Sequence, residues 1–283
     1  MIVELRAATV ATCGGKAGVL GLLLRAGIRV PDGYVIPSGS PVPAVLDGPG
    51  GAVLDGPGGA VAVRSSASTE DLADASAAGQ HDSVLGVRGA DAIAGAVRAC
   101  RESLWSERAV AYRRARGLTA EPVMAVLVQR HVDADVAGVA FTGDAVRIEA
   151  AWGLGESVVH GLVTPDSWTV LADRITARSV GDKRERVDRA PAGGTARTPV
   201  AAGDRERPCL SDGQVRRVAA TCRRIAEILG TPVDVEWAVA GDELWVLQAR
   251  PVTAELPGPA GLHGPAELPG PAGLPGPAEL PGP

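Results

Sequence analysis

Three groups of residues in this sequence have the types and spacing to handle phosphate. The first lies in VAVRSSASTEDLADASAAGQHDS, residues 61–83, where an apolar alternation ends on Arg64, Ser65 and Ser66 and passes into small residues around Glu70 and Asp71. A buried strand that delivers a guanidinium and hydroxyls into such a loop suits polyphosphate, because planar N–H pairs and O–H donors match phosphate oxygens. The same residues also read as a strand followed by a helix start capped by Thr69, Glu70 and Asp71. The second group is Cys13-Gly14-Gly15-Lys16-Ala17-Gly18, at the head of a helical period through Leu20, Leu23 and Leu24. Glycines ahead of a helix leave backbone N–H groups open to an anion, and Lys16 adds a point charge there. It is not a Walker A loop, since Ala17 follows the lysine where Ser or Thr is needed; a plain glycine turn is the other reading. The third group is a hairpin, with 233–239 and 244–250 alternating around Ala240-Gly241-Asp242-Glu243. Asp234, Glu236, Gln248 and Arg250 share one face there, with Glu236 roughly opposite Gln248. A carboxylate and an amide oxygen side by side suit Mg²⁺, and Arg250 is within reach of the same phosphates. A polar, solvent-facing side of an antiparallel sheet is the alternative.

The elements that must position these groups follow from periodicity. Tyr34-Val35-Ile36 reads as a strand after the Val30-Pro31-Asp32-Gly33 turn. Residues 90–116 form one or two amphipathic helices with Ile93, Val97, Leu104, Ala109 and Tyr112 on the apolar face. Strands follow at 124–129, 136–142 and 147–152, the last running into Gly153-Leu154-Gly155-Glu156 and a short helix. GLGE resembles half of a dinucleotide fingerprint, but Val158 stands at the third glycine position and no βαβ unit follows, so an oxidoreductase reading has little behind it. Residues 167–177 read as a strand and turn, 180–208 as loop with short strands, and Ser211 opens a helix with Val215, Val218, Ile225 and Leu229 on one stripe, stopping at Gly230. Two stretches cannot pack a core. VLDGPGGA occurs twice in succession within residues 38–60, and residues 255–283 repeat LPGPAGL and LPGPAEL units, which favour a solvated, polyproline-like tail.

Composition narrows the function classes. A formal charge of −5 argues against a general nucleic-acid binder, which carries a basic footprint. Aromatics make up only 3% of the residues, so the core must be built from Ala, Val, Leu and Ile. Cys13, Cys100, Cys209 and Cys222 are spaced too irregularly for a zinc or redox motif, and reduced thiols are expected. The first residues, MIVELRAATV, carry no signal-peptide core and no stretch reads as a membrane span, so a cytoplasmic location with no membrane partner is expected.

Taken in order, GGKAGVLGLLLRAGIRVPDGYVIP, VAVRSSASTEDLADASAAGQHDS, SLWSERAVAYR, MAVLVQRHVDADVAGVAFT, IEAAWGLGESVVHGLVTPD and VDVEWAVAGDELWVLQARPVT resemble the N-terminal nucleotide-binding domain of the phosphoenolpyruvate synthase and pyruvate phosphate dikinase family, which includes the rifampicin phosphotransferases. The resemblance covers roughly residues 10–254. It implies an α+β, ATP-grasp fold with two lobes around a nucleotide cleft in residues 1–254, and ATP with Mg²⁺ as cofactors. It further implies that Lys16 binds phosphate, that Arg64 contacts the transferred phosphoryl group, and that Gly79 and Ser83 lie on a glycine-rich lid. Gln129 falls on the adenine-side strand. Glu236 and Gln248 match the metal ligands, and Arg250 joins Arg64 and Lys16 as catalytic residues.

In the family this domain splits ATP and passes a phosphoryl group to a histidine on a swivelling domain. Here no phosphohistidine segment follows Pro251, and none of His81, His131, His160 and His263 lies in a carrier motif. The partner expected is therefore a separate phosphohistidine domain or protein. Ala77 replaces a lid phenylalanine, and the repeat at 38–60 stands where the family has helices. An inactive nucleotide-binding or scaffold paralogue is the alternative function.

Overall fold

The computed structural model describes residues 2–42, 59–67, 83–115 and 123–252. Gly79, the Glu70-Asp71 pair, most of the 38–60 repeat and the 255–283 tail lie outside the described residues.

In chain order the first part holds β1 (Val3–Glu4), α1 (Val10–Arg25), β2 (Gly33–Ile36), β3 (Ala60–Ala67), β4 (Ser83–Arg88), α2 (Ala90–Ser103), α3 (Glu107–Ala115) and β5 (Met124–Arg130). Then come β6 (Val136–Phe141), β7 (Val146–Trp152), α4 (Glu156–Val159), β8 (Asp166–Leu171) and β9 (Arg174–Ser179). The last are β10 (Glu185–Arg189), β11 (Thr195–Pro199), α5 (Ala202–Arg205), α6 (Asp212–Leu229), β12 (Val233–Ala240) and β13 (Glu243–Pro251). The strands form a five-stranded sheet in the order β1-β2-β5-β3-β4, a six-stranded sheet in the order β13-β12-β6-β7-β8-β9, and the β10-β11 hairpin. All ladder pairings within the sheets are antiparallel, and the fold is α+β as expected.

Side-chain alternation assigns the faces. On β12, Val233, Val235, Trp237 and Val239 point into the largest core, which they share with Leu20, Leu23 and Leu24 of α1 and with Val215, Val218 and Ile225 of α6. That core also takes Val35, Ala125 and Leu127 from the five-stranded sheet, so α1 packs into the same core as both sheets. The opposite face of the five-stranded sheet, through Val61, Val63, Val126 and Val128, packs on Ile93, Val97 and Cys100 of α2. Helix α6 begins at a capping box, Ser211 with Gln214, and ends on Gly230 at φ 69°.

Two elements depart from the sequence expectation, the first of them at the site. The helix expected to open at the glycines begins earlier, at Val10, and is broken at Gly14 (φ 76°, ψ 172°). Residues 167–177, expected as a strand and turn, hold most of a β8-β9 hairpin that turns through Ala172 at φ 48°. Among the described residues no helix is long and apolar enough to cross a membrane.

Candidate functional site

Arg64 sits in the middle of β3, a strand buried along its whole length, and is itself only 8% exposed. Its guanidinium leaves the five-stranded sheet and is held by the terminal hairpin of the six-stranded one. Nη1 donates to the Leu247 carbonyl at 2.5 Å, and Nη2 donates to Gln248 Oε1 at 2.8 Å and Glu236 Oε2 at 3.0 Å. The structure thus brings together three residues from positions 64, 236 and 248. Glu236 and Gln248 are direct cross-strand partners.

A bulge makes that pairing. From Ala240↔Glu243 to Trp237↔Val246 the ladder runs in regular register, and it then shifts so that Leu247 has no partner and Gln248 faces Glu236. Had the ladder kept its register through Leu247, Gln248 would lie opposite Val235 and point into the core, since a one-residue slip moves every side chain to the other face. The strict alternation read for 244–250 is therefore corrected: the alternation breaks at Leu247, and the break is what places Gln248 and Arg250 beside Glu236 and Asp234. The carbonyl of the bulged residue is the one that accepts from Arg64.

Arg250 is on the same face two pairs along, opposite Asp234, and its Nε and Nη2 donate to Asp234 Oδ2 at 2.8 and 2.6 Å. Burial raises the Asp234 pKa, the Arg250 charge opposes that, and neighbouring Glu236 adds to it. Asp234 Oδ1 is buried without a hydrogen-bond partner. This face is therefore not the solvent-facing side of a sheet.

The oxygens proposed for a divalent cation fit one. Glu236 Oε2 and Gln248 Oε1 already converge on a single positively charged nitrogen, Arg64 Nη2, and Glu236 keeps 30% of its side chain exposed. A carboxylate and an amide oxygen are hard ligands of the kind Mg²⁺ takes alongside water and phosphate. Among the described residues no cluster of three or more His, Cys, Asp or Glu has metal-binding geometry.

The remaining expected residues are placed as follows. Lys16 lies in the broken turn of α1, half-buried. Ser83 is exposed at the start of β4, directly opposite Arg64. Gln129 pairs with Ala62 on the Arg64 face of the sheet, but it is 2% exposed and its amide nitrogen donates to the Pro31 carbonyl at 2.9 Å. The Ser66 hydroxyl, read as a phosphate donor, is completely buried and engaged with the backbone of α1, so that reading is corrected.

Sequence reasoning missed an apolar patch on the Glu236 face. Trp245 and Leu247 cluster there with Val132, Ala137, Leu154 and Ala238. The Arg130 and Arg29 guanidiniums stack over the Trp245 ring at 4.5 and 5.2 Å from its centroid. The odd-numbered aromatic at 245 was the available signal.

Residues 52–258 match the family model described as the pyruvate phosphate dikinase, AMP/ATP-binding domain. The chain belongs to this family. Similar curated relatives include a rifampicin phosphotransferase from Streptomyces sviceus, 41% identical over 206 residues covering 70% of this chain and 24% of the relative. A probable phosphoenolpyruvate synthase from Methanothermobacter thermautotrophicus is 42% identical over 68% of this chain and 29% of the relative. The prodigiosin synthesizing transferase PigC of Serratia marcescens is 41% identical over 69% of this chain and 23% of the relative. The chain thus spans about a quarter of the length of the relatives it matches.

Proposed function

We propose that this chain is an ATP-grasp module of the pyruvate, water dikinase type, which splits ATP and passes a phosphoryl group to a histidine on a separate domain or protein. The observation that carries this is Arg64, presented by one sheet and held by Glu236, Gln248 and the Leu247 carbonyl of the other. Phosphoryl transfer is chiefly positioning and charge neutralisation, which a buried guanidinium flanked by oxygen ligands can supply. In this reading Arg64, Arg250 and Lys16 face the phosphates, and Gly79 and Ser83 belong to the lid. Gln129 lies at the adenine-side strand, and the Trp245/Leu247/Leu154 patch takes the base. Glu236 and Gln248 would hold Mg²⁺, which supplies charge neutralisation on phosphate oxygens when bound.

The test is calorimetric titration with Mg-ATP, followed by an assay for AMP in the presence of a separately supplied phosphohistidine domain. Binding at micromolar to millimolar ATP and AMP release are expected. Arg64→Ala should lower AMP formation by at least 100-fold, the scale seen when one donor to the developing charge is removed, with the circular dichroism spectrum unchanged. No ATP binding at millimolar concentration sinks the proposal. Binding without AMP release in the presence of the partner domain leaves a nucleotide-binding scaffold.

A further inference from the structure

The break in α1 has a cause in the next strand. A regular helix would carry a hydrogen bond from the Ala17 N–H to the Cys13 carbonyl. Instead Ala17 N–H donates to Ser66 Oγ at 3.0 Å, and the Ser66 hydroxyl donates to the Cys13 carbonyl at 2.6 Å. The hydroxyl is inserted into one rung of the helical ladder, a recognised origin of sharp kinks. Gly14 takes up the change at φ 76°, where an added Cβ would lie 2.2 Å from the Ser66 carbonyl oxygen, so no other residue fits the joint. Lys16 stands inside the opened turn, between Gly14 and Ala17. Ser66 stands two residues from Arg64 on the same strand face, roughly 7 Å along it.

We propose that Ser66 is a positioning residue: its inserted hydroxyl fixes the turn that carries Lys16 and thereby sets the lysine relative to Arg64, so that both address one polyphosphate. This rests on the ATP reading above and adds to it a residue that touches no ligand. Ser66 is completely buried and both its hydrogen-bonding roles are filled, so it acts only through the turn it holds.

The test uses the full chain titrated with three probes, Mg-ATP, inorganic tripolyphosphate and adenosine, for wild type, Ser66→Ala, Ser66→Cys, Lys16→Ala and the Lys16→Ala/Ser66→Ala double variant. Ser66→Ala should weaken ATP and tripolyphosphate roughly tenfold, about what losing one hydrogen bond's worth of alignment costs, and leave adenosine unchanged. Ser66→Cys, which keeps the volume with a poorer hydrogen bond, should fall between. The double variant should be no weaker than Lys16→Ala alone, because the serine acts through the lysine. Equal losses for ATP and adenosine, no loss, or additive effects of the two substitutions would overturn the inference. Should Ser66→Ala fail to fold, Ser66→Cys and its double-mutant cycle with Lys16→Ala distinguish the same outcomes. A wild-type chain that binds neither ATP nor tripolyphosphate refutes the ATP reading itself, whereas wild-type binding with an indifferent Ser66 refutes only this step.

Discussion

Single side chains at this site are defined by what they are denied. Arg64 is buried, and a buried cation persists only with its donors engaged, here by two side-chain oxygens and one carbonyl. His131 shows the opposite outcome. It begins the segment that leads from the five-stranded to the six-stranded sheet, is 8% exposed, and its Nε2 has no hydrogen-bond partner, with Asp133 Oδ1 at 3.5 Å. Burial lowers its pKa; the Asp133 charge opposes this, and Arg189, itself paired to Asp133, reinforces it. A base whose folded pKa is depressed stabilises the fold at pH above its unfolded value, and that contribution is lost as pH falls from about 6.5 through the folded value. Urea midpoints measured between about pH 7.5 and 5 should therefore fall more steeply for wild type than for His131→Gln, which cannot titrate. Parallel curves for the two proteins would show that His131 is not a source of the acid-side loss.

At the level of elements, strand β4 and the β10-β11 hairpin depend on two glycines meeting. Gly86 is at φ 66°, its carbonyl accepts from the Gly194 N–H at 3.0 Å, and an added Cβ would stand 2.5 Å from the Gly194 carbonyl oxygen. Arg88 Nη1 reaches the Pro191 carbonyl at 3.1 Å and reinforces the contact. Gly86→Ala introduces both a left-handed strain of about 1–2 kcal/mol and a backbone collision. The expected result is undocking of the hairpin tip: amide hydrogen exchange at Gly194 should accelerate at least tenfold while amides of β5 and β12 keep their protection. Unchanged exchange at Gly194 would mean that the tip is held by other contacts. The bulge at Leu247 acts at the same scale, since one unpaired residue decides which face of β13 is polar.

At the largest scale, a buried ion pair far from Arg64 in sequence ties together segments between residues 166 and 209. Lys183 and Asp166 are both fully buried; Lys183 Nζ donates to Asp166 Oδ1 at 2.5 Å and to the carbonyls of Gly181 and Arg205, while the Gly181 and Cys209 amides donate to Asp166. Four chain segments meet there: β8, the 181–183 turn, the end of α5 and the approach to α6. Removing one partner of a buried pair leaves an uncompensated charge, so Lys183→Met should cost about 3–5 kcal/mol. Urea denaturation monitored by tryptophan fluorescence would show this as one cooperative shift, and a loss below about 1 kcal/mol would mean that the amides alone satisfy Asp166. The pair had no signal in the sequence, because a charged lysine in a glycine-rich, charged stretch reads as solvated loop.

Periodicity alone located the strand carrying Arg64, the amphipathic α2 and α6 and the β12-β13 hairpin, because each depends on neighbours a few residues apart; the helix at Lys16 was expected, but its start at Val10 and its break at Gly14 were not. The order of motifs named the family, which the match over residues 52–258 bears out. Contacts between distant segments were settled only by the tertiary structure, since they depend on register and burial. The expected pairing of Glu236 with Gln248 is present, but it is reached through a bulge at Leu247 that the sequence did not show, and the Ser66 hydroxyl faces inward, completing a rung of a helix some fifty residues upstream. Local chemistry nominated Arg64; only the folded chain could hand it Glu236, Gln248 and a carbonyl from the far end of the domain.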